Sequence, residues 1–256
     1  MVRVRVRQHQ RLHPHAQLPR PLDQRPRLVP RIPDPPRPAP LSTLGAPSTL
    51  GYNGGGLPAE KTWLFYPSAL QWMPDGRLVS VFGDTFEKAG VGGPGWRSPV
   101  VLFADPASVG TGMEWTGAAG PGDYAEQILP YRHNSIIRGK RVSTVLPTDV
   151  ITVNDQMYLH VMVCEALGKV HWTELHRSTD NGETWQPTGT HWRGDVHRGL
   201  FQMLTWERDG NGWIYVFSTG FQRDKGLFLQ RVPEEPLTRP HAWQRAVRMR
   251  ARASAR

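Results

Sequence analysis

The sequence predicts an all-β protein built as a β-propeller, in which small antiparallel sheets are arranged around an axis. The main observation is an order of strand, tight turn, strand, loop and strand that occurs three times, at intervals of roughly 60–80 residues. The second observation is the turn chemistry, because residues 75–76, 154–155 and 209–212 separate apolar, β-branched or aromatic runs. Propellers close with at least about four blades. Three units therefore predict a truncated propeller, or further blades in the irregular regions.

The first unit follows a Gly- and Ser-rich entry at residues 42–66. Residues 68–73 and 77–82 are predicted strands joined at Pro74-Asp75-Gly76, since Asp-Gly is a strong hairpin signal. A third strand is expected over residues 97–104. Residues 105–142 contain Gly-Pro punctuation and are interpreted as irregular.

The second unit occupies residues 143–185, and the third begins at residue 200. In the second, strands are predicted over 150–153, 157–163 and 170–176, the last from its alternation of side chains. This unit ends in S-x-D-x-G-x-T-W, which resembles the Asp-box of sialidase-like propellers, a turn between the outer strands of a blade. The resemblance implies purely structural roles for Ser178, Asp180, Gly182 and Trp185. The third unit has predicted strands over 200–207, 213–219 and 226–232.

The formal charge of +9 resides in the two ends of the chain. Residues 1–41 carry a net +7 and residues 239–256 a net +6, which leaves residues 42–238 with a net charge of −4. Residues 1–41 contain ten Pro and nine Arg and are predicted to be disordered. This segment is a basic Pro-rich linker, a nucleic-acid arm, or the product of a wrongly chosen start. The predicted organisation is thus a propeller domain over residues 42–243 and a basic tail over 244–256.

Several classes of function lack support in the sequence. Cys164 is the single cysteine, so no intramolecular disulfide and no Cys-based zinc site is expected. The histidines have no metal-ligand spacing, and neither a metal nor a cofactor is expected. No nucleic-acid motif is present, and a nucleic-acid partner is not expected. No apolar run is long enough for a signal peptide or a membrane span. The oligomeric state is left open.

Candidate site residues are predicted to converge at one end of the blades. In a strand–turn–strand hairpin, the start of the first strand and the end of the second lie at the same end. Asp84 follows the second strand of the first unit, and Asp149 is expected to begin the first strand of the second unit. Glycoside hydrolysis needs two carboxylates that flank the scissile bond, and Asp84 and Asp149 are the predicted catalytic pair. The same end is expected to collect Glu165, Gln202, Gln222 and Arg223.

Each of these candidates has a structural alternative. Asp84 is alternatively a turn residue that binds the backbone after it, and Asp149 a cap at the start of a strand. Glu165 is alternatively a solvated carboxylate. His160, on a strand, is either a packed histidine or a substrate contact, and Trp96 either packs between blades or stacks on a sugar ring.

Several motifs together resemble an actinobacterial family known as domain of unknown function 4185, over about residues 62–243. They are FGDTF at 82–86, Trp96-Arg97-Ser98, STVLPTD at 143–149, YLHVMV at 158–163, the Asp-box, and STGFQRDKG at 218–226. The resemblance implies a five-bladed propeller that acts as an endo-D-arabinofuranosidase on the D-arabinan of mycobacterial arabinogalactan and lipoarabinomannan. It implies that Asp84 is the essential carboxylate and that Asp149 is a candidate partner. The candidate substrate-binding residues are Trp96, Arg97, His160, Glu165, Gln202, Gln222 and Arg223.

The chain also departs from the family pattern. Members usually carry a further acid upstream of FGDTF, where residues 51–63 offer only Glu60. Members continue with strands past Trp243 and are commonly exported, which implies an extracellular or cell-envelope location although no export signal is visible. The predicted function is hydrolysis of D-arabinan. The alternatives are a non-catalytic propeller that binds cell-envelope glycan and an inactive truncated copy.

Overall fold

The chain folds into antiparallel sheets that are formed mostly by consecutive strands. The computed structural model describes residues 52–53, 62–64, 67–87, 92–109, 115–121 and 124–245. Its strands are β1 (Tyr52–Asn53), β2 (Thr62–Leu64), β3 (Pro67–Trp72), β4 (Leu78–Phe82), β5 (Thr85–Phe86), β6 (Val100–Ala104), β7 (Trp115–Ala118), β8 (Ser135–Ile137), β9 (Lys140–Val142), β10 (Thr144–Val153), β11 (Gln156–Ala166), β12 (Lys169–Ser178), β13 (Gln186–Arg193), β14 (Met203–Arg208), β15 (Trp213–Thr219), β16 (Phe228–Pro233) and β17 (Gln244–Arg245).

Three of the sheets have four strands in the order in which the chain visits them. Sheet A is β3-β4-β6-β7, sheet B is β10-β11-β12-β13 and sheet C is β14-β15-β16-β17. Between β4 and β6 the chain adds β5 to a separate sheet of order β1-β2-β5. The described residues contain no α-helix, only 3-10 turns at Pro106–Ser108, Val196–Gly199, Phe221–Arg223 and Pro240–Ala242. The predicted all-β fold is confirmed.

Sheet B shows how the sequence sets strand pairing. Asn154 and Asp155 both have positive φ (49° and 57°), which suits the two-residue turn that matches strand twist. The turn fixes the register of β10 and β11, so that Val153 faces Gln156 and Thr144 faces Cys164. Nearly every residue of β10 is buried, as expected for a strand covered on both faces.

The three four-stranded sheets pack face to face in sequence order. One buried cluster joins sheet A to sheet B, and it includes Val81 and Phe103 together with Val161 and Trp185. A second joins sheet B to sheet C through residues such as Leu175 and Val216. The first strands also adjoin each other, since β10 contacts both β3 and β14. This is the arrangement of consecutive propeller blades, with the first strand of each blade innermost.

Several strands differ from the sequence-based expectation: β6 and β14 begin three residues later than predicted, and β13 was not predicted. Strand β10 begins at Thr144, six residues before the predicted start, because 144–149 continues the pairing with β11. Residues 105–142, predicted to be irregular, contain β7, β8 and β9. Residues Gln244–Arg245 of the predicted basic tail form β17 and pair with β16. The predicted disordered segment 1–41, and residues 246–256, lie outside the described residues.

The sheets have two distinct ends. At one end lie the tight turns β3–β4, β10–β11 and β14–β15; we call this the turn end. At the other lie the starts of β3, β10 and β14 and the ends of β4, β11 and β15, which we call the mouth. The candidate residues that were expected at the mouth are Asp84, Asp149, Glu165, Gln202, Gln222 and Arg223.

Candidate active site

Asp84 lies at the mouth, where the chain leaves one sheet for another. It lies two residues after the end of β4 and directly before β5, which pairs with β2. Thr85 and Arg97 exchange backbone hydrogen bonds of 2.8 and 2.9 Å, so the loop that returns to sheet A is tied to this point. Asp84 is therefore held by backbone pairing on its C-terminal side and is only 6% exposed.

The two oxygens of Asp84 have different surroundings. Its Oδ1 accepts a hydrogen bond of 2.9 Å from Trp96 Nε1 and one of 2.6 Å from Thr144 Oγ1. Its Oδ2 makes no hydrogen bond within the described part of the chain. The two donors come from different sheets, because Trp96 precedes β6 of sheet A and Thr144 begins β10 of sheet B. The carboxylate is thus oriented through one oxygen and keeps the other available.

A pair of stacked rings lies beside Asp84. The indole of Trp96 and the imidazole of His133 are 4.1 Å apart with an interplanar angle of 13°. His133 Nε2 lies 2.9 Å from Gln127 Oε1, and Nδ1 lies 3.1 Å from the carbonyl oxygen of Ser143. Burial lowers the pKa of His133, and the nearby charge of Asp84 opposes that shift. His133 was not predicted as a site residue, because it lies in a segment without strand periodicity.

Arg97 is buried beneath this loop and is not presented to the mouth. It is 8% exposed, and its guanidinium carbon lies 4.2 Å from the centre of the Tyr124 ring. A cation over an aromatic face is favourable, and more so when it is desolvated. Next to it, Ser98 donates through Oγ to the carbonyl oxygen of Val145, at 2.5 Å, which links the loop to sheet B. The Trp96-Arg97-Ser98 motif therefore joins the first two sheets.

Asp149 does not begin a strand, and that prediction is wrong. It lies inside β10, opposite His160 and after an irregularity in the pairing. Its Oδ2 accepts hydrogen bonds from Thr205 Oγ1 (2.6 Å) and from the backbone N–H of Trp206 (3.1 Å), while Oδ1 accepts from the N–H of Val150 (2.8 Å). Both oxygens are thus occupied. Burial raises the pKa of Asp149 to about 6 against the opposing effect of these donors.

The predicted proximity of Asp84 and Asp149 is also wrong. Asp84 contacts Thr144 at the start of β10, whereas Asp149 lies five residues further along that strand. At about 3.3 Å per residue the separation along the strand is roughly 15 Å. Retaining glycosidases need about 5–5.5 Å between their carboxyl groups and inverting ones about 6.5–9.5 Å. The expectation failed because the start of β10 was placed six residues too late.

His160 is a packed residue of the core between sheets B and C. It is fully buried, and its Nδ1 lies 2.7 Å from Thr148 Oγ1. Aromatic rings of Trp192, Phe201 and Trp206 surround it at centroid distances of 6.2, 5.7 and 6.4 Å. Burial lowers the pKa of His160 to about 3, so the ring is neutral at physiological pH. The structure therefore does not bring His160 to the mouth.

The other candidates lie at the mouth, but most of them brace loops. Glu165 follows Cys164, the pairing partner of Thr144, forms an ion pair of 2.8 Å with Lys169 and lies 3.4 Å from His171 Nε2. Gln202 donates to the carbonyl oxygen of Gly194 and accepts from the N–H of Phe221, both at 2.8 Å. Both groups of its amide are therefore used inside the protein.

Gln222 and Arg223 lie in the 3-10 turn that follows β15. Arg223 is exposed and has a positive φ of 62°, an uncommon conformation for a residue with a side chain. Arg223 was predicted to bind substrate, and its positive charge is accessible to solvent at the mouth of sheet C.

The turn between β12 and β13 has the hydrogen bonding of an Asp-box. Asp180 accepts from the N–H (3.0 Å) and the hydroxyl (2.6 Å) of Thr184, and from Ser178 Oγ at 2.7 Å. Ser178 Oγ in turn accepts from the N–H of Gly182 at 2.8 Å. Trp185 is 4% exposed and packs in the cluster between sheets A and B. These side chains stabilise the turn end, far from the mouth.

No group of three or more His, Cys, Asp or Glu side chains within the described residues is placed to hold a metal ion. None of the helical segments in the described ranges is long and apolar enough to cross a membrane.

The sequence was also compared with known proteins. It is 26% identical over 179 residues to an uncharacterized 35.9 kDa protein in the asd 3′ region of Mycolicibacterium smegmatis, an alignment that covers 66% of this chain and 50% of that protein. It is 33% identical over 179 residues to the notoamide biosynthesis cluster protein J′ of Aspergillus versicolor, covering 65% and 49%. The chain spans about half the length of these relatives. A profile of the family described as domain of unknown function (DUF4185) matches residues 69–249. Since this match covers most of the chain, the protein belongs to the DUF4185 family, as its motifs predicted.

Proposed function

We propose that the protein is a glycoside hydrolase that cleaves D-arabinofuranosyl linkages of a mycobacterial-type cell-wall arabinan, with Asp84 as one of its two essential carboxylates. The observation that carries the proposal is the state of Asp84 at the mouth. Its Oδ1 is fixed by Trp96 and Thr144, whereas its Oδ2 has no partner in the described residues. A buried carboxylate with one unused oxygen is a group that substrate can engage.

The geometry around Asp84 is suited to catalysis on a sugar substrate. Glycoside cleavage passes through a transition state with positive charge on the sugar ring, which a nearby carboxylate stabilises. Hydrogen bonds from two separate sheets hold Asp84 in one orientation, so little reorganisation is needed during the reaction. Trp96 stacks on both Phe86 and His133, at centroid distances of 5.9 and 4.1 Å, and this half-buried aromatic stack lies next to Asp84. A sugar presents apolar C–H groups on its ring face and hydroxyl groups at its edge, which fits the exposed part of an aromatic stack beside a carboxylate.

The second carboxylate is proposed to be Glu165 or Glu60. Glu165 follows Cys164, which pairs with Thr144 at the start of β10, and Thr144 in turn donates a hydrogen bond to Asp84. The hydrogen bond from Lys169 lowers the pKa of Glu165, so the group is ionised at neutral pH, as a nucleophile or a base must be. Glu60 lies outside the described residues, and the family resemblance alone supports it.

The test is release of oligo-arabinosides from purified arabinogalactan by the parent chain and by matched carboxamide variants. We expect Asp84→Asn to abolish release, and either Glu165→Gln or Glu60→Gln to do the same. Asp149→Asn is the matched control, since it lies away from the mouth, and should keep turnover per folded molecule. Full activity of a folded Asp84→Asn variant would contradict the proposal.

A second candidate is a non-catalytic propeller that binds cell-envelope glycan. The stacked Trp96 and His133 favour it, because an aromatic wall serves binding as well as catalysis. Equilibrium binding to arabinogalactan separates the two. A folded parent chain that binds the polymer without releasing sugar, and whose binding is unchanged by Asp84→Asn, identifies the binding module.

A further inference from the structure

A cavity lies at the turn end, opposite the mouth. Its walls come from the innermost strands of all three four-stranded sheets, at the ends of β3, β10 and β14, and from the turn between β10 and β11. Its volume is about 350 Å³, which is within the usual range for small-molecule sites. The lining residues that matter here are Gln71, Trp72, Thr152, Asp155, Glu207 and Arg208. None of them belongs to the candidate active site.

Trp72 presents an aromatic surface to this cavity. The residue is 56% exposed, whereas Trp side chains are highly buried on average. Its backbone is fixed on both sides, because its carbonyl oxygen accepts from Thr152 Oγ1 at 2.5 Å and its N–H donates to Gln71 Oε1 at 2.9 Å. The backbone of Trp72 is therefore fixed by hydrogen bonds, while its indole ring remains exposed.

The polar groups around Trp72 include both acceptors and donors. Asp155 and Glu207 are exposed, and neither carboxylate forms a hydrogen bond or an ion pair with the rest of the described chain. The amide oxygen of Gln71 accepts from the N–H of Trp72, and its amide N–H groups have no hydrogen-bond partner in the described part of the chain. Arg208 is bound to Glu234 through two hydrogen bonds of 2.7 and 3.0 Å, so its charge is already compensated.

We propose that this cavity is a second saccharide-binding site, which binds a sugar unit of the same polysaccharide at a distance from Asp84. Sugar hydroxyl groups donate hydrogen bonds to Asp155 and Glu207 and accept them from Gln71. The apolar face of the ring packs on the indole of Trp72 and removes that surface from water. The cavity holds one or two sugar units. The proposal rests on the proposed function only for the identity of the sugar.

The location gives the second site a distinct effect on activity. The mouth and the turn end lie at opposite ends of the same sheets, so a short oligosaccharide occupies one site at a time. A long polymer can bind to both and gains from the high local concentration of its second segment. Loss of the second site should therefore raise KM for the polymer and leave KM for a short substrate unchanged.

The experiment is calorimetric titration of the full chain with an oligo-arabinofuranoside, in an Asp84→Asn background that prevents turnover. Two molecules of the oligosaccharide should bind to each background chain, one at the mouth and one in the cavity. Addition of Trp72→Ala should reduce this to one, and Glu207→Gln should weaken the same site by about tenfold. Ile136→Ala is the control, since Ile136 is 71% exposed in β8 and lies outside the cavity. The melting temperature of each variant checks its folding.

Three results would overturn the proposal. The first is a single equivalent of sugar in the background chain, unchanged by Trp72→Ala. The second is no binding of the oligosaccharide to the background chain. The third is salt-sensitive binding of choline, abolished by Glu207→Gln, without binding of sugar, because it would identify a site for organic cations. Failure of the proposed function gives a different result. The parent then releases no sugar from arabinogalactan, but the oligo-arabinofuranoside still binds at the site that Trp72→Ala removes.

Discussion

Asp84 and Asp149 are equally buried, at 6% exposure each, and yet their surroundings differ in every other respect. Asp84 lies at the mouth, receives two hydrogen bonds on one oxygen and keeps the other unused. Asp149 lies between sheets B and C and receives three hydrogen bonds that occupy both oxygens. The difference shows that burial alone does not mark a reactive carboxylate. What separates the two is whether the protein already uses all of the acceptor positions.

Asp84→Asn should produce the largest effect, a loss of roughly 10³-fold in turnover, within the usual range for removal of a group that transfers a proton or stabilises charge. Asparagine keeps an oxygen that accepts from Trp96 and Thr144, so the melting temperature should change by less than about 2 °C. Initial rates on arabinogalactan and thermal melts measure both quantities. A large fall in melting temperature with retained turnover would assign Asp84 a structural role. Asp84 would then no longer differ in function from Asp149.

Asp149→Ala should have the opposite profile. It leaves the N–H groups of Val150 and Trp206 without their acceptor, and each buried unsatisfied donor costs about 1–3 kcal/mol. We expect the free energy of unfolding at pH 7 to fall by about 3 kcal/mol, with turnover per folded molecule preserved. Chemical denaturation and rate measurements on the folded fraction test this. Loss of turnover at unchanged stability would place Asp149 in the reaction instead.

The pH dependence of stability sharpens the same comparison. The pKa of Asp149 in the folded protein is raised to about 6 from 3.8, so the folded state binds this proton more tightly. Stability from this group is present below about pH 4 and is lost as the pH rises through 6. The parent should thus lose about 2 kcal/mol of unfolding free energy relative to Asp149→Asn between pH 4 and 7. The Asp149→Asn variant is its own control for other titrating groups. Buried His160, for example, is present in both chains and affects the pH dependence of both alike.

Urea titrations of the two chains at several pH values provide the measurement. If the difference in unfolding free energy instead grows with pH, the three donors to Asp149 outweigh its burial and favour the ionised form. That outcome would reverse the predicted sign of the pH dependence. Asp149 would then stabilise the contact between sheets B and C in its ionised form.

Asp180→Ala should give the smallest change. Asp180 is exposed and its hydrogen bonds organise a surface turn, so we expect a loss of about 1 kcal/mol in unfolding free energy. Turnover should not change, because the β12–β13 turn lies at the end opposite Asp84. A fall in turnover without a fall in stability would show that the turn end takes part in function. Thr179→Ala, in the same turn but outside the hydrogen-bonded set, is the matched control.

Local sequence patterns predicted the strands and tight turns well, and predicted long-range neighbours poorly. Asn154-Asp155 and Asp75-Gly76 defined their hairpins because the turn conformations favour those residue types. The start of β10 was misplaced because Thr144 to Asp149 includes Pro147, which is uncommon inside a strand, although β10 is an edge strand of its sheet. That error placed Asp149 at the mouth.

The rest of the site depends on contacts that no local pattern encodes. His133 lies in a stretch without periodicity, and only the three-dimensional structure brings its ring onto Trp96. Thr144 was visible as part of a motif, but its bond to Asp84 spans 60 residues. Asp84 itself was predictable, because a carboxylate directly after the strand of a tight hairpin falls at the end where the other hairpins also place their loops.

The hydrogen bonds to Asp84 Oδ1 also connect sheets A and B, since Trp96 lies in the loop that leads into β6 of sheet A and Thr144 begins β10 of sheet B. The carboxylate therefore links two blades, and its orientation depends on the spacing between them. A shift of about 1 Å between the sheets would break one of these hydrogen bonds while leaving every strand intact. In rising urea, catalysis should consequently fail before the β-sheet signal does, so that activity reports separation of the blades rather than their unfolding.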